Sequence, residues 1–105
     1  MKDSKSNTLS EDLIALVTRS VRKMRLPGEV AKGAIGYLET ALEHGISPEQ
    51  NPKGYGAAAV YIASIMTHNR VTQDAIAHVF KVSVQTIRIK YMELVRSLGI
   101  RSNPR

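Results

Sequence analysis

Ser83, Gln85, Thr86 and Arg88 fall within six consecutive residues, and their side chains share one chemistry. The glutamine amide carries a donor beside an acceptor, the arginine a rigid fork of donors, and the hydroxyls serve in either role. Such groups match base edges and phosphate oxygens of a nucleic acid. Lys81 and Lys90 flank them and add ammonium charge for phosphates. These six residues are the candidate DNA contacts. No nucleophile–base pairing, glycine-rich phosphate loop or concentration of carboxylates accompanies them, so the chain is expected to be no enzyme. With no cysteine, disulfides and cysteine-ligated zinc are excluded. His44, His68 and His78 lack metal-ligand spacing, and neither a metal nor a cofactor is expected.

These side chains need a helix to present them. Val84, Ile87, Tyr91, Leu94 and Leu98 repeat at steps of three and four, which predicts a helix over Ser83 to Leu98 with one buried stripe. Gln85, Thr86 and Arg88 then lie on its opposite face. A shorter helix over Thr72 to Val79 precedes it, with Ala77 small enough for close helix approach and Val82 in the turn. Together, residues 72–98 have the form of a helix-turn-helix with a recognition helix, whose first partner to test is duplex DNA.

Three further helices complete the chain. Ser10 caps a helix to about Arg25, with Leu13, Val17, Val21 and Met24 buried and Ile14 beside them. Pro27-Gly28 breaks it and opens a second, to about His44, with Ala31, Ala34, Ile35, Leu38 and Leu42 inward and Gly45 as its stop. Ile46 to Asn51 is a loop. The third helix, about Pro52 to Met66, is apolar nearly all round after Gly54, so it must be surrounded by the others. No strand pattern appears. The expected fold is all-α, a five-helix orthogonal bundle about a central third helix. Residues 1–9 are expected to be a flexible tail, 10–100 the domain and 101–105 a basic tail.

Charge is one-sided. Residues 1–50 hold seven Lys/Arg and seven Asp/Glu; residues 51–105 hold eight against two, so the whole net +6 lies in the half with the helix-turn-helix. A basic half attracts a polyanion and gives salt-sensitive affinity. No apolar run approaches the roughly 20 residues that span a membrane.

The ordered set Asn51-Pro52-Lys53-Gly54, then AAAVYIAS over Ala57 to Ser64, Thr72-Gln73, Val82-Ser83, Thr86-Ile87-Arg88 and Tyr91 resembles the second cyclin-like repeat of archaeal transcription factor B and eukaryotic general transcription factor IIB. The likeness runs from about Ser10 to Ile100. It implies a cyclin-like bundle whose fifth helix enters the major groove of a purine-rich element upstream of the TATA box. TATA-binding protein is the implied partner, and the assembly fixes the direction of transcription. By position, Arg88 matches an arginine that reads guanine, Thr86 a residue near the DNA, and Ser83 is placed to meet a phosphate. RNA polymerase is implied only for a complete factor, because the zinc ribbon, reader segment and first repeat of full-length members are not in this chain. It is expected to be a monomer, cytoplasmic at an archaeal nucleoid or nuclear in a eukaryote, and either an excised domain or a single-repeat regulator.

Several positions depart from the family pattern. Gln85 stands where valine is usual, which favours adenine over a thymine methyl. Lys81 occupies a turn position that usually holds glycine, at a cost of about 1 kcal/mol if φ is positive. Ile89 and Met92 replace polar residues on the outward face and are expected to be exposed apolar contacts, to DNA methyls or to a protein. Lys53 and Arg70 are expected on solvated surface, and Tyr55 and Tyr61 in packing roles. The alternative function is a cyclin-like protein-interaction adaptor.

Overall fold

The computed structural model describes residues 8–99 and consists of five α-helices and one 3-10 turn. In chain order these are α1 (Glu11–Lys23), α2 (Gly28–Glu43), a 3-10 turn (Pro48–Gln50), α3 (Pro52–Met66), α4 (Gln73–Phe80) and α5 (Val84–Leu98). The fold class expected from the sequence is the one found, and no strand occurs among the described residues.

Four of the five helix starts are capped by a side chain. The Ser10, Asn51, Thr72 and Ser83 side chains accept hydrogen bonds from the N–H groups of Leu13, Gly54, Ala75 and Thr86, satisfying donors that the first turn leaves orphaned. Ser10 is doubly engaged: its own N–H and hydroxyl donate to the two carboxylate oxygens of Glu49, each at 2.9 Å. This ties the start of α1 to the 3-10 turn, whose Pro48 is fully buried. Helix α1 ends two residues before the expected Arg25. Arg25 takes φ +59°, and the Leu26 N–H turns back to the Val21 carbonyl at 3.1 Å. Gly45 and Gly99, at φ +97° and +70°, stop α2 and α5.

Helix α3 packs against each of the other four helices. Ten of its fifteen residues are buried, including Gly54, Gly56 and the whole of Tyr55 to Val60. Small side chains permit this: a Cβ at Gly56 would lie 3.1 Å from the Phe80 ring and 3.5 Å from Val17. Phe80, the one phenylalanine, closes the core at the end of α4. Leu9 corrects the expected tail boundary. At 3 % exposure it belongs to the core, because the cap at Ser10 directs the preceding residue inward. The rest of the expected N-terminal tail except Thr8, and all of 101–105, lie outside the described residues.

Candidate nucleic-acid interface

The turn between α4 and α5 is built on Lys81, which adopts φ +61°, ψ +48° and returns its N–H to the Ala77 carbonyl. Val82 N–H reaches the same carbonyl at 3.1 Å, so the chain reverses over the small Ala77, itself buried. The left-handed conformation expected for this position is present, on a residue with a Cβ and an exposed ammonium group.

Helix α5 divides cleanly around its axis. Ile87, Leu94 and Val95 are buried, with Val84, Tyr91 and Leu98 half-buried beside them. The expected stripe is thus centred on Ile87 and Leu94, and Val95, which it omitted, belongs to it. Tyr91 leans edge-on against Tyr61, ring centroids 5.5 Å apart. On the outer side Gln85, Arg88, Ile89, Met92 and Arg96 are all exposed. Their spacing of three, four and seven residues makes one continuous ridge. Ile89 and Met92 are 52 % and 44 % exposed, which agrees with their outward placement.

The six candidate residues do not all converge. Gln85 and Arg88 stand on the ridge with Lys81 exposed at the turn. Ser83 is exposed, but its hydroxyl oxygen already accepts the Thr86 N–H at 3.0 Å and its proton goes to the Thr86 hydroxyl, also at 3.0 Å. What the helix start offers an anion is therefore the unsatisfied N–H of Val84 and Gln85 more than the Ser83 side chain. Thr86 is half-buried and serves this cap.

Lys90 departs from the expectation. Five residues on from Gln85, it is turned about 140° around the axis. Its ammonium lies 3.2 Å from Glu93 and 4.8 Å from the centre of the Tyr55 ring. The Tyr55 hydroxyl donates to the other Glu93 oxygen. Burial, then the hydrogen bond to Glu93, pushes the Tyr55 phenol up to about 12. The hydrogen bond from Tyr55 holds the Glu93 carboxyl below its ordinary range, with Lys90 adding to the effect. This trio clamps α3 to α5 and leaves Lys90 outside the ridge.

Gln73, the first residue of α4, was not among the expected contacts. Its side-chain oxygen accepts from Arg88 Nε at 3.3 Å. The bond restrains the guanidinium and leaves its two terminal nitrogens free for a forked acceptor such as the O6/N7 edge of guanine. The only sequence signal for it is its place at the head of the first helix of the motif.

His44, His68 and His78 are exposed, and no metal-ligating cluster occurs among the described residues. No described helix is long and apolar enough to cross a membrane.

Comparison with known proteins gives consistent matches. The model of the family described as Transcription factor TFIIB repeat matches residues 7–97. The chain is similar to Transcription initiation factor IIB of Caldivirga maquilingensis, 41% identical over 85 residues, which is 81% of this chain and 25% of that protein. It is similar to the factor of the same name from Methanococcus maripaludis, 43% identical over 84 residues, 80% of this chain and 25% of that protein. For Pyrobaculum aerophilum the identity is 40% over 90 residues, 86% of this chain and 27% of the relative. The chain thus spans about a quarter of the length of the curated relatives it matches.

Proposed function

Because the chain belongs to the Transcription factor TFIIB repeat family, we propose that it is the DNA-binding core module of a basal transcription initiation factor. In this reading α5 enters the major groove of a promoter element upstream of the TATA box, and TATA-binding protein holds the neighbouring DNA. The supporting observation is the exposed Gln85–Arg88 pair at the N-terminal end of α5, with Arg88 restrained by Gln73. Arg88 reads a guanine and Gln85 an adenine; Lys81 and the first-turn N–H groups of α5 meet phosphates. The module does no chemistry of its own: its groups bind and orient.

The test is a fluorescence-anisotropy titration of promoter and random duplexes, with and without TATA-binding protein, over several salt concentrations. Binding is expected to be weak alone, tighter on a site already occupied by that protein, and steeply weakened by salt. Arg88→Ala is expected to cost about 1–3 kcal/mol on the preferred element and little on random DNA. Salt-independent binding counts against the DNA reading, and equal losses on both duplexes count against the assignment of Arg88 to a base.

A second reading has one observation in its favour. Ile89 and Met92, exposed side by side on the same ridge, suit an apolar protein surface as well as DNA methyl groups. A cyclin-like adaptor would use them for a protein partner and would show no preference among duplexes.

A further inference from the structure

Behind the helix-turn-helix lies a charged feature that the α5 ridge does not use. A recess of about 210 Å³ opens between the C-terminal half of α1, the start of α3 and the α4–α5 turn. Arg19, Lys23, Lys53 and Lys81 surround it, Phe80 and Ser20 form part of its wall, and no carboxylate lines it. Among the described residues none of the four cations is ion-paired.

The cations meet there at a local cost. Arg19 and Lys23 are one turn apart on α1 and repel each other. Lys53 is the second residue of α3 and brings positive charge to the positive end of that helix. Lys81 holds the left-handed turn. Lys23 and Lys81 each gain something from the helix end beside them, but four cations from three elements converging on one opening without a carboxylate are accounted for by an anionic ligand.

Ser20 supplies an independent observation. The residue is 4 % exposed, it lines the recess, and its hydroxyl has no hydrogen-bond partner among the described residues. A buried helical hydroxyl ordinarily returns its proton to the preceding turn, as Ser64 does to the Tyr61 carbonyl at 2.8 Å. The Ser20 proton is thus free for an acceptor inside the recess. An oxyanion ringed by ammonium and guanidinium groups satisfies both the charge and the hydroxyl.

We propose that this recess is a phosphate-binding site and that its phosphate belongs to the backbone of the duplex engaged by α5. Lys81 lines the recess and stands two residues ahead of Ser83, the cap of α5. Phosphates of one strand follow each other at about 3.4 Å along the helix axis, so a strand held at the start of α5 continues past Lys81 toward Arg19 and Lys53. The DNA origin of the phosphate rests on the proposed function; the phosphate chemistry does not.

Two measurements on the full chain test this. In the first, inorganic phosphate is titrated at constant ionic strength while backbone amide shifts are followed by NMR. Saturable shifts at Ser20 and Lys81 are expected, lost in the Arg19→Ala/Lys53→Ala double variant and weakened by Ser20→Ala at unchanged thermal stability. In the second, duplex binding is measured against salt. The double variant is expected to lose about ten-fold in affinity on promoter and random duplexes alike and to flatten the log–log salt slope by about one. A control, Arg22→Ala/Lys32→Ala, removes the same charge from exposed positions outside the recess and is expected to leave the slope unchanged. No saturation by phosphate, or equal slopes for the two double variants, overturns the proposal while duplex binding by the unaltered chain stands. Saturation by phosphate in a chain that binds no duplex supports the site with free phosphate as its ligand and overturns the function instead.

Discussion

Replacing Lys81 separates the backbone cost of the turn from the charge it carries. At φ +61°, ψ +48° a residue with a Cβ is strained by about 1–2 kcal/mol, a cost that glycine escapes. Glycine's greater freedom in the unfolded chain returns roughly 0.4–1 kcal/mol of that gain, leaving about 1 kcal/mol in favour of Lys81→Gly over Lys81→Ala. Both variants also lose a cation at the C-terminal end of α4, worth about 0.3–1 kcal/mol. The expected order of stability is therefore glycine at or above lysine, and lysine above alanine. For a domain of this size, a gap of that magnitude between the glycine and alanine variants appears as about 4–8 °C in Tm. Calorimetry or urea unfolding gives the stability, with m unchanged. Anisotropy against salt gives the charge: both variants flatten the slope by about 0.9 on every duplex. Equal stability of Lys81→Gly and Lys81→Ala refutes the strain argument. Unchanged salt slopes refute the placement of Lys81 against a phosphate.

Three other outcomes follow from the structure. Gln73→Ala releases the Arg88 guanidinium and is expected to weaken promoter binding a few-fold, with no further effect in an Arg88→Ala background; additive losses in a double-mutant cycle would show the 3.3 Å contact to be idle. The Tyr55–Glu93 contact makes stability depend on pH at both ends. Glu93's contribution is intact above its ordinary 4.5 and is lost as pH falls through its lowered folded value, whereas Tyr55's is intact below its ordinary 10.0 and is lost as pH rises toward about 12. Tyr55→Phe is expected to flatten both limbs of a Tm–pH curve, and unaltered limbs would deny the contact. In α2, a Cβ at Gly36 meets nothing within 4 Å, so Gly36→Ala stabilises by about 0.5–1 kcal/mol; in α3, Gly56→Ala drives its methyl against the buried Phe80 ring and destabilises by about 1–3 kcal/mol, both read by urea unfolding.

The elements were legible because their signals are local. Hydroxyl and amide caps at Ser10, Asn51, Thr72 and Ser83 fix the starts of four helices from a window of four residues. The lack of a polar face on α3 forces its central position without any knowledge of its neighbours. Ends were less legible where a residue other than glycine takes positive φ: Arg25 stops α1 early, and nothing in its side chain announces that. Contacts across the fold were not legible at all. Lys90 pairs locally with Glu93 at i, i+3, but the Tyr55 ring beneath its ammonium is distant in sequence, and nothing in the window around Lys90 announces it. Gln73 and Arg88 meet across fifteen residues, and Ser10 meets Glu49 across thirty-nine. The recess gathers its cations from α1, α3 and the turn, so no sequence window contains it.

The ridge of α5 finally bears on which element the module prefers and on which reading of it is right. Gln85 and Ile89 are one turn apart, about 6 Å along the helix, a distance that covers one to two base pairs of the groove floor. If glutamine engages an adenine, isoleucine reaches a neighbouring base, where the only apolar feature in the major groove is the thymine methyl. Half of the Ile89 surface is open to solvent in the free protein, so covering it against one methyl is worth about 0.8 kcal/mol, or roughly four-fold in affinity. Replacing successive thymines in the element by uracil deletes one methyl at a time and leaves every hydrogen bond in place. One such substitution is expected to weaken the unaltered chain by that factor and to leave Ile89→Ala unaffected. If no uracil substitution weakens binding, Ile89 faces no base, and the apolar pair on this ridge is explained only by a protein surface, which is the adaptor reading.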